Sequence, residues 1–338
     1  MSMAKIDFRK LFEMVKRKPN VIGYSASLQP RIRSGRVVED EKCFRIYVSK
    51  KLPLSKLSAD DIIPREIDGI PVDVVEVGEI VALNKKRELR KASVEDKVKV
   101  QRPLVAGVSI GHYEITAGTL GWYVKDIDNV YILSNNHVLA NENKGKVGDP
   151  IVQPGMYDIA DKNNWQQYVC GSLADFIPIQ FETYTCPYRR SVVTLLRKLK
   201  LMRNAEANIV DVALAKINVP YEFRFIDVDT PVRGVNYDLN VGDKVQKTGR
   251  TTCHTTNGVV VDLNYCGYVT YSRGVAFFED QILIQGENFS AGGDSGSLIM
   301  DVNFNAVGLL FAGSDTYTVA NKIKNVEDLL GVNVVVVK

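Results

Sequence analysis

Apolar positions recur at helical spacing at the start of the chain: Phe8, Leu11, Phe12 and Val15 share one face of residues 5–17, and Pro19 and Asn20 close the segment. Short β-type runs follow at residues 21–28, 42–48 and, after the turn Asp68-Gly69, 72–77. A helix with these strands predicts a small α/β N-terminal domain over residues 1–83. Residues 84–102 then carry Lys85, Lys86, Arg87, Arg90, Lys91, Lys97, Lys99 and Arg102 against Glu88, Glu95 and Asp96, the pattern of a solvated basic linker.

From Pro103 the texture changes to short apolar runs punctuated by glycine, at residues 114–120, 129–133, 210–217, 244–248, 258–263 and 281–284. The series continues at residues 297–300, 306–311 and 332–337. Many short strands at this spacing predict a mainly β sandwich or barrel over residues 103–338. One segment departs from the pattern: Val192, Leu195, Leu196 and Leu199 form an apolar stripe within the basic residues 189–203. This reads as a helical insertion near 187–204 that covers the barrel.

The bulk numbers narrow the class. The 338 residues are 45% hydrophobic and 25% charged, which suits a globular protein with one large and one small domain. With 43 basic and 40 acidic residues the formal charge is only +3, so no nucleic-acid partner is expected. The first twenty residues lack the apolar core of a secretory signal, and no run approaches the roughly 18 apolar residues of a membrane span. A soluble, cytoplasmic protein is the expectation, with a homo-oligomer left open. Five cysteines (Cys43, Cys170, Cys186, Cys253, Cys266) cannot all pair within one chain. Buried free thiols are expected, with a Cys170–Cys186 bridge as the alternative. No C-x-x-C pair accompanies the three histidines, so neither a metal site nor a cofactor is expected.

Candidate chemistry gathers in three strings. In residues 290–300, Gly292 and Gly293 precede Ser295 and Gly296 follows it. Glycines there let the backbone aim successive N–H groups at one point, as an oxyanion requires. Gly293 and Ser295 are assigned that role, with a tight turn before a buried strand as the structural alternative. In residues 130–140 an apolar strand runs into a polar turn carrying His137, and imidazole is a suitable base for a serine nucleophile. His112 and His254 read as packing or surface residues. Asp211 lies within apolar neighbours at residues 208–215, where a carboxylate needs a partner, although an edge-strand aspartate facing water also fits.

His137, Asp211 and Ser295, in that order and at domain-sized intervals, resemble the trypsin-like serine proteases. Gly293-Asp294-Ser295-Gly296-Ser297 is similar to that family's GDSGG, with Ser297 in place of the last glycine. NVIG, DIIPREIDGIPVDVVEVG, GTLGWYV, LSNNHVLAN, GDPIVQPG, KTGRTT and GENFSAGGDSGSLI resemble a microbial branch of the family, itself similar to the plant narrow-leaf trypsin-like proteins. His254, where a smaller or apolar residue is usual, and residues 156–207 depart from that pattern.

The resemblance implies a chymotrypsin-like double β-barrel and a serine endopeptidase acting on protein or peptide substrates. It also places a substrate pocket between Phe289, Ser290 and Gly292 on one side and Ala312, Gly313 and Ser314 on the other. With no acid in residues 288–291, that pocket is expected to favour small or medium apolar residues, unless Asp315 enters it. The activation sequence of digestive trypsins is absent, so a freed α-amine cannot partner Asp294: either another group satisfies it or the site is preformed without one. An α/β-hydrolase would require the order Ser, acid, His within G-x-S-x-G, which this chain lacks. A catalytically silent binding or assembly module with the same fold is the alternative function.

Overall fold

A computed structural model describes residues 6–33, 36–82, 94–115, 117–182 and 207–337. The chain is mainly β, and its two large sheets curl into the expected double barrel. In the first, strands run in the spatial order Asn333–Val334, Trp122–Lys125, Val130–Ser134, Ala213–Ile217, Val169–Phe176, Pro150–Val152, Ser109–His112 and Gly118–Thr119. Trp122, Ile132, Leu133, Val138, Leu139 and Leu173 fill its interior. The second sheet closes on itself. Lys244–Gly249, Leu298–Asp301, Asn305–Gly313, Tyr317–Lys322, Val275–Gln285 and Cys253–Thr270 follow one another, and the last pairs back to the first. Closure leaves these six strands no unpaired ladder within the ring, which removes the edge hazard of an open sheet.

The expected N-terminal helix is present as Phe8–Glu13, capped by the Asp7 side chain, with Leu11 and Phe12 buried. It lies over Val21, Tyr24, Phe44, Ile46 and Val72, and Phe12 stacks on Tyr24 at 4.6 Å between ring centres. The strands Val21–Ser25, Arg36–Val48 and Ile70–Glu76 do not form a sheet apart. Val21–Ser25 pairs antiparallel with Cys253–Thr270, Tyr24 facing Cys266, so these strands extend the second sheet outward. Tyr47 Oη donates to the buried Asp262 carboxyl at 2.5 Å, which fixes the same junction from one side.

Several elements differ from the sequence reading. Apolar runs gave most strands of the second barrel, but Cys253–Thr270 is much longer than residues 258–263. Its second half, Asn264-Tyr-Cys-Gly-Tyr-Val-Thr270, lacks a regular apolar–polar alternation, which hides the strand period. In the first barrel, Ser109–His112 and Trp122–Lys125 are buried along nearly their whole length and show no polar alternation to betray them. Among the described residues of 114–120, only Gly118–Thr119 forms a strand. The helix Ile323–Leu330 ends on Gly331 in the left-handed conformation. Residues 189–203, read as a covering helix, lie outside the described residues. Within the stretch read as a solvated linker, Lys97 is fully buried and ion-paired to Asp227 at 2.7 Å. Cys43, Cys170, Cys253 and Cys266 are buried thiols, and Cys186 lies outside the described residues. No described helix is long and apolar enough to cross a membrane.

Docking of the N-terminal strands depends on close backbone approach at Gly23. A Cβ built there would lie 2.4 Å from the Cys266 carbonyl oxygen and 3.0 Å from the Gly267 Cα. Neither atom can move without shifting the long strand. Gly23→Val is therefore expected to lower stability by about 1–3 kcal/mol, read as a reduced urea midpoint. An unchanged midpoint would mean that this strand pair does not hold the N-terminal unit.

Candidate active site

His137 sits on the one-turn helix Asn136–Leu139 that follows the strand Val130–Ser134. The turn lies directly across from Asp211, just before the adjacent strand Ala213–Ile217. His137 Nδ1 lies 2.5 Å from Asp211 Oδ2, and the His137 backbone N–H donates to Oδ1 at 3.2 Å. Both side chains are fully buried. The expectation of an acid with a partner inside an apolar run is met by this contact, rather than by an edge-strand aspartate in water.

A third group on Asp211 escaped the sequence reading. Tyr271 Oη donates to Asp211 Oδ2 at 2.9 Å, and its ring stands edge-on to His137 with centres 5.8 Å apart. Burial and the neighbouring Asp211 charge raise the Tyr271 phenol well above its usual pKa, so it remains a donor. Glu142, just beyond the His137 turn, holds the loop that delivers Tyr271. Its carboxylate accepts from the backbone N–H groups of Ser272 and Arg273 at 3.1 and 3.0 Å. Tyr271 lies sixty residues from Asp211 in a run of aromatic and small residues, so no local pattern marks it.

Ser295 lies on the turn between the second-barrel strands and meets the first barrel directly. Its carbonyl accepts from the Thr119 N–H at 2.8 Å, and Gly293 O accepts from Thr119 Oγ1 at 2.9 Å. Gly293 and Gly296 have φ of +99° and +90°, the left-handed region that disfavours side chains. Among the described residues, no acceptor lies on the N–H of Gly293 or Ser295. Ser295 Oγ donates to Phe311 O at 3.4 Å, and His137 Nε2 is buried without a hydrogen-bond partner. The serine–imidazole bond is thus not made in this conformation. Ser297, the departure from the family string, donates its hydroxyl to Asp294 O at 2.6 Å and braces the turn.

Asp294 is fully buried and has the partner that the sequence left open. Lys247 Nζ lies 3.2 Å from Oδ2, and both side chains are 0% exposed. Oδ1 accepts from the N–H of Thr251 and Thr252 at 2.8 and 3.1 Å. Oδ2 accepts from Thr252 Oγ1 and Ala291 N at 2.7 and 2.9 Å. Burial would raise this carboxyl, but Lys247 and the four other donors outweigh it and hold it below the usual range. Burial draws the Lys247 ammonium down, and Asp294 opposes that shift. The charged pair rests on the carboxylate's dense set of donors. Lys247-Thr248-Gly249-Arg250-Thr251-Thr252 is thus a single cradle, and a Cβ on Gly249 would strike Asp294 Oδ1 at 2.3 Å.

The residues expected to line the pocket are close together but well filled. Phe289 is fully buried among Val245, Val260 and Ile284. Ser290 Oγ hydrogen-bonds Thr318 Oγ1 at 2.6 Å, and a Cβ on Gly313 would lie 3.4 Å from Ser290 Oγ. Ala312 is buried, Ser314 Oγ donates to Val77 O at 2.6 Å, and Asp315 is exposed beyond the strand. Of the other histidines, His112 pairs with Asp149 at 3.0 Å and His254 lies 3.3 Å from Thr248 Oγ1. No group of three or more His, Cys, Asp or Glu among the described residues is arranged to hold a metal ion. A cavity of about 660 Å³ lies elsewhere, beside the N-terminal helix at Tyr24, Asn264 and Glu279.

Removing the ammonium would strand the buried Asp294 carboxylate. Lys247→Met is expected to cost about 3–5 kcal/mol. The sign with pH follows from the depressed carboxyl. In the wild type, its stabilisation is complete above the ordinary aspartate value of about 3.9 and is lost as pH falls through the lower folded value. In Lys247→Met the folded carboxyl rises, so less stability is lost on acidification, and the gap between the wild-type and variant midpoints should narrow as pH falls through about 3.9. Urea midpoints measured from pH 3 to pH 7 (about the range that brackets carboxylate titration) check this. Superimposable curves would exclude the ion pair as a support of the fold.

No family model matches the sequence, and no curated protein sequence matches it. Among solved structures, the chain is similar to Thermobifida fusca Protease A, at 14% identity over 69% of this chain and 99% of that one, with a TM-score of 0.45. It is also similar to Cellulomonas bogoriensis chymotrypsin, at 15% identity over 69% and 98%, with a TM-score of 0.44. A glutamic-acid-specific serine protease described as using a histidine triad in substrate binding gives 15% identity over 69% and 100%, with a TM-score of 0.43. Likenesses this distant assign neither family nor activity.

Proposed function

We propose that the chain is a serine endopeptidase in which Ser295 is the nucleophile, His137 its general base and Asp211 the carboxylate that orients the imidazole. The observation that carries this reading is the buried His137–Asp211 contact at 2.5 Å, with His137 Nε2 left unpartnered. Asp211 fixes Nδ1 as the protonated nitrogen and leaves Nε2 to accept a proton. The reading requires the Ser295 hydroxyl to leave Phe311 O and turn to that base. Ser295 Oγ then bonds to the substrate carbonyl carbon while its proton passes to Nε2. The N–H groups of Gly293 and Ser295 receive the developing oxyanion. Collapse breaks the C–N bond, the leaving amine takes the proton from His137, and water releases the acyl group by the same steps in reverse.

In this reading Lys247 supplies the cation that the Asp294 turn needs, with no dependence on a freed α-amine. Tyr271 is a positioning residue that holds Asp211 against His137. The pocket of Phe289, Ser290, Gly292, Ala312, Gly313 and Ser314 offers buried hydroxyls and apolar surface, which supports a preference for small or medium apolar side chains. A silent binding module with the same fold is favoured by one observation only, the Ser295 hydroxyl turned onto Phe311 O.

Fluorophosphonate labelling separates the two readings. A single adduct on Ser295 is expected, and Ser295→Ala should abolish both labelling and peptide hydrolysis without unfolding. Asp211→Asn should lower kcat by about 10³–10⁴ through the wrong imidazole tautomer. A folded wild-type protein that neither labels nor hydrolyses any peptide would favour the silent module.

Specificity has its own check. Mass-spectrometric profiling of cuts in a denatured protein mixture should show small or medium apolar residues before the scissile bond. A dominant lysine or arginine signal there would refute the apolar pocket and leave the triad untouched.

A further inference from the structure

An extended peptide that approaches Ser295 needs a strand edge on which to lie, because its backbone groups must be paired once they leave water. The strand Asn305–Gly313 offers the nearest one: Phe311 O accepts from Ser295 Oγ, and Ala312 and Gly313 continue outward from it. One side of this strand is taken by Tyr317–Lys322. On the other side Leu298–Asp301 pairs with it as far as Leu309, and beyond that point residues 81–82 take the edge. Val81–Ala82 pairs antiparallel with it, Ala82 opposite Ala312 and Val81 opposite Gly313. The segment therefore runs from Gly313 towards Ala312, and so towards Phe311, whose carbonyl accepts from Ser295 Oγ.

The seat is built on both flanks. Thr270 N–H donates to Ile80 O at 3.1 Å, and Val81 pairs parallel with Thr270, so the segment fills the gap between two strands. Ser314 Oγ donates to Val77 O at 2.6 Å, which anchors its upstream end. Val77, Ile80 and Ala82 are 1%, 2% and 6% exposed and pack with Tyr271, Phe311 and Ile179. Val81 faces the opposite way, into the cluster that holds Phe289 and Leu310. In this conformation His137 and Ser295 are 1% and 0% exposed.

We infer that residues 77–82 are an intramolecular occupant of the substrate edge, and that they hold the site shut until the segment leaves. This rests on the protease reading for the meaning of the edge, though not for the seat itself. The alternation of Ile80 and Ala82 on one face with Val81 on the other also defines what competes for it: an extended, uncharged aliphatic peptide. Exchange between the cis segment and such a peptide sets the basal activity. In the full chain that activity is low, because the cis segment is always present at high effective concentration.

The test uses the full-length protein with two readouts, amide exchange of Thr270 and the rate of fluorophosphonate labelling at Ser295. Wild type should show a protected Thr270 amide and slow labelling. Ile80→Glu places a charge in the apolar seat; it should remove that protection and accelerate labelling at least about tenfold. A Thr270 amide that exchanges freely in wild type would overturn the inference, and this needs no variant. Equal labelling rates after protection is lost would overturn it too, as would a seat that the introduced carboxylate leaves undisturbed. Should Ile80→Glu fail to fold, Ile80→Ala gives the same comparison with a smaller gain. If Thr270 opens and nothing labels in either protein, the protease reading fails and the inhibition with it, while the strand seat remains.

Discussion

Two opposite charges buried at 3.2 Å, Lys247 and Asp294, hold the turn on which the rest of the candidate site depends. Neither charge would be tolerated alone inside a barrel, since the desolvation of an unpaired ion costs several kcal/mol. Together, and with four further donors on the carboxylate, they make the turn's conformation the only one in which both ions are satisfied. That fixes the left-handed Gly293 and Gly296, and with them the direction of the Gly293 and Ser295 N–H groups. The cation belongs to a strand of the same barrel. In the proposed reading the turn is therefore formed by folding alone, and access to it has to be controlled elsewhere.

In that reading the control lies at the strand edge. The N-terminal strands are part of the second sheet through Tyr24 and Cys266, so the segment that follows them is delivered to the Ala312–Gly313 edge by a short, constrained path. Tyr271 links the two features physically. It donates to Asp211 and shares a buried cluster with Ile80 and Ala82. In the proposed reading, removal of this segment uncovers the phenol that holds Asp211 against His137.

Much of this was legible in the residues, in proportion to how local the cause is. His137 and Ser295 stand in strings whose apolar run or glycines announce a special turn, and Asp211 is conspicuous as an acid among Ile209, Val210, Val212 and Ala213. The lack of an α-amine partner for Asp294 was also legible. Its answer was not, because Lys247 reads as an ordinary basic residue within a strand and only the closed barrel brings it beneath Asp294. Tyr271 and residues 77–82 act across large sequence separations, where no periodicity survives. The same limit applied to Lys97, whose neighbours Glu95 and Lys99 suggest a solvated helix while Asp227 supplies the buried partner.

The central claim is that the Asp294 turn is preformed by an internal cation in the intact chain. Carbon-13 titration of the Asp294 carboxyl in the uncleaved full-length protein tests it most directly. The account requires an ionised carboxylate at neutral pH that takes up its proton only below the ordinary aspartate value of about 3.9. A carboxyl that titrates at or above that value would contradict it, because burial without an effective cation raises an acid rather than lowering it.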